Sequence, residues 1–191
     1  MITNHDRSGW FGASDASFIM GNWNTKTFVK WWMIKSGITK GEFQNKYTFA
    51  GTHYEHKILD FIKVKKKDRQ ILKKLLRLRV NLDGEYKKAV YEIKTYKLEN
   101  GFKVSKAYWQ QVQVQLFATG YRRAYIVAYG LNDDDYKNIF NPIDKNRISF
   151  HEVIYDGDFI FDYLKKLKIL KKCLKEGVLP WKLNSAKQNT A

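Results

Sequence analysis

The chain of 191 residues holds one cysteine, Cys173, and two prolines, Pro142 and Pro180. A lone cysteine excludes an internal disulfide, and no Cys/His cluster has the spacing of a zinc site. There is no Pro/Ser-rich linker and no internal repeat, so nothing divides the chain. No apolar run approaches the ~18 residues of a transmembrane helix. The first residues are polar and interrupted by glycine, so no secretory signal peptide is expected. Acidic residues are scarce too: 19 Asp plus Glu stand against 35 Lys plus Arg, a formal charge of +16. Self-repulsion of that size opposes compaction. The excess therefore points to a polyanionic partner, nucleic acid first, with an anionic membrane surface as the rival.

What is present suits one globular domain, since hydrophobic residues make up 44% and aromatics 16%. Residues 1–181 are read as that domain and 182–191 as a polar tail that frays. Ser14 is a candidate N-cap for a short helix through Met20. Thr25 or Thr27 would start the next, Phe28 to Ser36, closed by Gly37. Tyr47 to about Lys65 reads as a long helix. Lys65 to Leu76 is lysine-rich with Ile71, Leu72, Leu75 and Leu76 at helical spacing, and is read as a second helix or an extension of the first. Strands are expected at Arg79–Tyr86 and Ala89–Tyr96, then a helix from Ser105 to Thr119. A strand at Arg123–Leu131, a polar loop over 132–144, a strand at Ile148–Tyr155 and a helix from Asp156 to Lys175 complete the chain. The order α-β-β-α-β-β-α predicts an α/β fold, a central mixed β-sheet flanked by α-helices.

The chemistry concentrates at Leu82-Asp83-Gly84 and Tyr91-Glu92-Ile93-Lys94. These two segments read as a hairpin with Asp83-Gly84 near its turn. Strand side chains alternate, so Glu92 and Lys94 share a face that Ile93 does not. A carboxylate from each strand and a lysine two residues on are what a hard divalent cation and an attacking water require. Taken alone, the same residues also describe a surface hairpin with a cross-strand ion pair.

Asp-Gly followed by Glu-Ile-Lys resembles the D…(D/E)xK core of the restriction-endonuclease-like, PD-(D/E)XK, nuclease superfamily. Further segments match in order: Arg7 to Asp15, with Arg7 and Ser14 at an Arg-x6-Ser spacing; Gly51-Thr52-His53-Tyr54-Glu55; and the glutamine run Gln111, Gln113, Gln115. Together, over roughly two thirds of the chain, they resemble the lambda exonuclease and YqaJ-like viral recombinase family. The cysteine count sets the chain apart from the Cas4-like branch, which uses four cysteines for an iron–sulfur cluster.

The resemblance implies a restriction-endonuclease-like core and a Mg²⁺-dependent exonuclease, with Mn²⁺ able to substitute. It implies Glu55, Asp83, Glu92 and the carbonyl of Ile93 as metal ligands, Lys94 and Gln111 as catalytic groups, and Arg7 and Ser14 on a terminal 5′-phosphate. It further implies duplex DNA ends as substrate, a single-strand annealing protein as partner, a ring-shaped trimer, no membrane, and a cytoplasmic setting, that of the host cell for a viral protein.

Other expectations come from the residues themselves. Lys94 is read as a stabiliser of charge, because acting as a base would need its amine far below ~10.4. At ~100° per residue, Gln115 shares the helix face of Gln111 and Gln113 does not. Lys65, Lys66 and Lys67, with Lys63, Lys73, Lys74, Arg77 and Arg79, form a candidate DNA track, and Lys165 to Lys175 a solvated face. Trp31, Trp32 and Trp109 are read as core before base-stacking platforms. Rival readings are an endonuclease or nickase of the same fold, a non-catalytic nucleic-acid-binding module, and a peripheral membrane protein.

Overall fold

The computed structural model describes residues 8–40 and 46–181, and the side chains of all of these but 46–50. Chain order gives helices α1 (Ala16–Met20), α2 (Lys26–Lys35) and α3 (Lys46–Phe61), then strands β1 (Lys66–Lys73), β2 (Leu78–Tyr86) and β3 (Ala89–Lys97). Helix α4 (Lys106–Thr119), strand β4 (Arg123–Leu131), helix α5 (Asp133–Lys137), strand β5 (Ile148–Ile154) and helix α6 (Gly157–Glu176) follow. The sheet runs β1-β2-β3-β4-β5, so sheet order is chain order. Only β3 and β4 are parallel, joined through α4, and every other pair is antiparallel.

Short polar side chains mark most helix starts. Thr25 accepts the Phe28 N–H at 3.1 Å, Ser105 that of Tyr108 at 3.2 Å, and Asp156 that of Phe159 at 2.9 Å. Each satisfies a backbone donor that has no partner within its helix.

Apolar side chains collect on both faces of the sheet. On one, Val80, Leu82, Val90, Ala124 and Ile126 meet Val112 and Leu116 of α4, with Leu167 and Leu170 of α6 and Phe28, Trp31 and Trp32 of α2 in the same cluster. On the other, Ile93, Val127 and Tyr129 meet Tyr54, Ile58 and Leu59 of α3. Trp31 and Trp32 are therefore core, and Trp109 lies edge-on to Phe159 with centroids 4.8 Å apart.

Four expectations need correction. Lys66–Lys73 is a strand, not a helix: it pairs with β2 from Lys66↔Glu85 to Lys73↔Leu78. As the sheet edge it is half-exposed, so charged residues are tolerated there and even protect the edge. The long helix ends at Phe61 rather than at Lys65, and Lys63 turns the chain at φ 63°. The region 132–144 contains α5, capped by Asn132. The β2–β3 turn falls at Lys87-Lys88, both at positive φ, and not at Asp83-Gly84. Gly84 serves packing instead: a Cβ there would lie 2.6 Å from Leu59 Cδ2 and 2.8 Å from Val64 Cγ1. Its missing side chain lets α3 lie directly on β2.

Candidate active site

The site forms where β2 and β3 part. Their pairing covers Gly84↔Tyr91, Glu85↔Val90 and Tyr86↔Ala89. At the next step the Asp83 carboxylate takes the ladder's place, accepting the Ile93 N–H at 2.8 Å. The pleat breaks here as well. Leu82 packs with the α4-side core, whereas Gly84 faces Leu59 and Val64 of the α3 side, although two residues apart should share a face. Across the sheet Asp68, at φ 55°, falls between the paired positions Lys67↔Gly84 and Arg69↔Leu82.

Glu92 and Lys94 share a face of β3, as expected, and that face is the α4 side. Lys94 Nζ donates to Glu92 Oε1 at 2.7 Å and to Gln111 Oε1 at 3.3 Å, and lies 4.9 Å from the centre of the Tyr108 ring. Gln111 donates to Glu92 Oε1 and Gln115 to Glu92 Oε2, each at 2.5 Å. Gln113 points elsewhere, donating to Ile154 O at 2.7 Å and accepting the Asp156 N–H at 2.8 Å. The helical-face expectation holds, and Gln113 and Gln115 are fully buried. From the other side α3 brings Glu55. Gly51, one turn earlier, would place a Cβ 3.0 Å from Thr95 Oγ1, so this helix lies close on β3.

Electrostatics bind these groups into one site. Burial, and then the Glu92 charge, push the Glu55 carboxyl up to about 7. Burial and the charges of Glu92 and Glu55 hold Asp83 well above the carboxylate range, against the pull of Lys94 and the Ile93 N–H. Burial works against charge on Lys94, but Glu92, as ion and as acceptor, and Asp83 outweigh it and raise the ammonium above the ordinary lysine value. A lysine held cationic in this way is unsuited to take up a proton.

Two neighbours were not anticipated. Glu55, His56 and Asp68 each offer a ligand atom, all within 4.8 Å of one another, and His56 Nε2 contacts Asp68 at 3.1 Å. Asp68 could have been found only by reading 66–73 as a strand.

Arg7 is outside the described residues. Ser14 is not an N-cap: it sits exposed within a 3-10 turn, Ala13–Asp15, that Gly12 precedes. Its neighbour Asp15 is the anchor of that segment, buried, accepting the Gly12 N–H at 2.6 Å and the Trp31 indole N–H at 2.9 Å, and paired with Lys35 at 2.5 Å. Lys65 and Lys66 are exposed. Lys67 pairs with Asp60 at 2.5 Å and Arg69 with Glu85 at 2.8 Å. Arg79, 8% exposed, is buried rather than part of a surface track.

A mixed five-stranded sheet flanked by helices, with acids on two adjacent strands where they diverge, defines an α/β restriction-endonuclease-like core. The chain belongs to the YqaJ-like viral recombinase domain family, whose model matches residues 4–122. Among solved structures it is similar to an alkaline exonuclease, LHK-Exo, from Laribacter hongkongensis. The two are 19% identical, with a TM-score of 0.69 over 95% of this chain and 96% of that one. It is also similar to a phage related exonuclease from Haemophilus somnus 129PT: 15% identity, TM-score 0.64, 87% of this chain and 94% of that one. At these identities the likeness is one of fold. Comparison with curated protein sequences gives no match. No helix among the described residues is long and apolar enough to cross a membrane.

Proposed function

We propose that the protein is a divalent-metal-dependent deoxyribonuclease, an exonuclease that resects one strand 5′→3′ from duplex DNA ends. The observation that carries this reading is the contact of Glu92 with Lys94 and Gln111 beside Asp83, which accepts the Ile93 N–H, with Glu55 within electrostatic reach. Family membership and the fold shared with two proteins described as exonucleases support it.

The donor set fits a hard cation. Burial and then like charge raise Glu55 and Asp83, opposed by His56 and Lys94 at Glu55 and by Lys94 and the Ile93 N–H at Asp83. Oxygen ligands few in number suit Mg²⁺, which keeps several waters, and Mn²⁺ would substitute. Asp83, Glu92, the Ile93 carbonyl and Glu55 would hold the ion, which when bound would activate water and neutralise phosphate charge. The rest falls to the chain's own residues. Lys94 presents a fixed positive charge to the scissile phosphate, and Gln111, bonded to both Lys94 and Glu92, sets the position of each. Arg7 and Ser14 are proposed to hold the terminal 5′-phosphate. Lys65, Lys66 and Lys67 would follow the DNA backbone. An annealing protein and two further copies of the chain are proposed partners.

The test compares linear 5′-phosphorylated duplex with a covalently closed circle, in Mg²⁺, for wild type and Asp83→Ala. The reading expects degradation of the linear form alone and none by Asp83→Ala, with DNA affinity retained. Cleavage of circles would favour an endonuclease of the same fold. Activity unaffected by Asp83→Ala would overturn the site.

A further inference from the structure

A side chain of α4 outside the proposed ligand set also reaches across the gap between β2 and β3. Gln115 is fully buried on α4, and its Nε2 donates to Glu92 Oε2 at 2.5 Å and to the Asn81 carbonyl at 3.3 Å. Asn81 lies on β2 two residues before Asp83, and Glu92 lies on β3. Along the hairpin register, one step beyond Gly84↔Tyr91, Asp83 and Glu92 would face each other, but no ladder joins the strands there. Ile93 N–H to Asp83 ties one side of the opening, and the Gln115 amide ties the other.

The amide orientation follows from chemistry. Both partners are acceptors, so the nitrogen, with its two hydrogens, must face them. That leaves Gln115 Oε1 buried with no hydrogen-bond partner. A residue kept only to fill space would be leucine or methionine, which strand no acceptor. Gln115 bears that cost, which marks its N–H donors as the part in use. Glu92 is held by both oxygens as a result: Lys94 and Gln111 take Oε1, and Gln115 takes Oε2. Groups that orient a ligating carboxylate in this way set a site's affinity for its ion.

We infer that Gln115 is a positioning residue that fixes the separation of the Asp83 and Glu92 strands and the orientation of the Glu92 carboxylate for a divalent cation. The inference rests on the metal-dependent reading above. Gln113 is the matched control, two residues away on the same helix but bonded to the β5–α6 junction.

The test is Mn²⁺ binding to the full-length, DNA-free chain by titration calorimetry, for wild type, Gln115→Leu, Gln115→Asn and Gln113→Leu, with folding checked by circular dichroism. Asparagine keeps the amide but is one methylene too short to reach both strands, so it is read if Gln115→Leu does not fold. The expected result is Mn²⁺ affinity lower by about 10–100-fold in the Gln115 variants and within about twofold of wild type in Gln113→Leu. Gln115 variants that bind Mn²⁺ like wild type would overturn the inference and leave the nuclease reading intact. A wild type that binds no Mn²⁺ would overturn the metal-dependent reading itself.

Discussion

Tyr54 and Glu55 are neighbours on α3, and they lead to two carboxylate clusters of opposite character. Tyr54 donates its hydroxyl to Asp135 at 3.1 Å, and Asp135 also accepts from the Arg147 guanidinium and, at 3.0 Å, from the Asn132 N–H. Burial by itself would raise Asp135, yet those hydrogen bonds hold it below the ordinary carboxylate range. Glu55 lies within electrostatic reach of Asp83 and Glu92, where burial and like charge raise both Glu55 and Asp83. One cluster contains its own cation and serves to tie α3 to the connection between β4 and β5. The other has three acids around one lysine, the charge imbalance on which the proposed metal site rests.

The sharpest break in this comparison is Asp135→Ala. It would leave Arg147, whose side chain is 14% exposed, without its buried partner, at a cost of about 3–5 kcal/mol in denaturant unfolding. Asp83→Asn, examined without metal, should cost nothing or stabilise. Equal losses at both positions would erase the distinction. Next in size, Lys94→Ala should lower kcat on linear duplex by about 10²–10³-fold while circular dichroism stays unchanged.

The comparison also has a pH signature. Folding raises Glu55 from 4.5 to about 7, so the metal-free folded chain holds that proton more tightly than the unfolded chain does. The stability this lends is whole below about 4.5 and is lost as pH rises to about 7. Without metal, Glu55→Gln should therefore match wild type near pH 4 and exceed it by about 1–3 kcal/mol at pH 8. A difference that shrinks with rising pH would contradict the assignment. The smallest expected effect lies on β1 and just before it. Lys65→Gln and Lys66→Gln should each reduce the slope of log affinity against log salt by about 1. Lys67→Gln should do less, because Asp60 already pairs with Lys67.

Much of this was legible in the residues, and the exceptions have causes. Helix starts at Thr25 or Thr27, at Ser105 and at Asp156 were legible, and the caps that Thr25, Ser105 and Asp156 form are local interactions, complete within four residues. Asp83, Glu92, Lys94, Glu55 and Gln111 could be singled out in the sequence because a motif preserves spacing, and strand and helix periods then convert spacing into direction. Strand β1 was missed because Ile71, Leu72, Leu75 and Leu76 imitate a helical stripe. An edge strand needs only half of its residues covered, and the left-handed Asp68 interrupts its alternation. Asp68 was lost along with it. The turn was misplaced because Asp-Gly is a strong turn signal, while Gly84 answers to Leu59 and Val64, which lie 20 or more residues away in sequence. Glutamines 113 and 115 were separable by helical angle alone, but the contact of Gln115 with the Asn81 carbonyl depends on how two strands diverge, which no periodicity records.

The most direct measurement is anomalous diffraction from crystals grown or soaked in Mn²⁺. The account predicts one or more anomalous peaks within coordination distance of Asp83 and Glu92, with Glu55 and the Ile93 carbonyl oxygen turned toward the same ion. Mn²⁺ found only elsewhere, or these side chains directed away from one another with no peak between them, would contradict it.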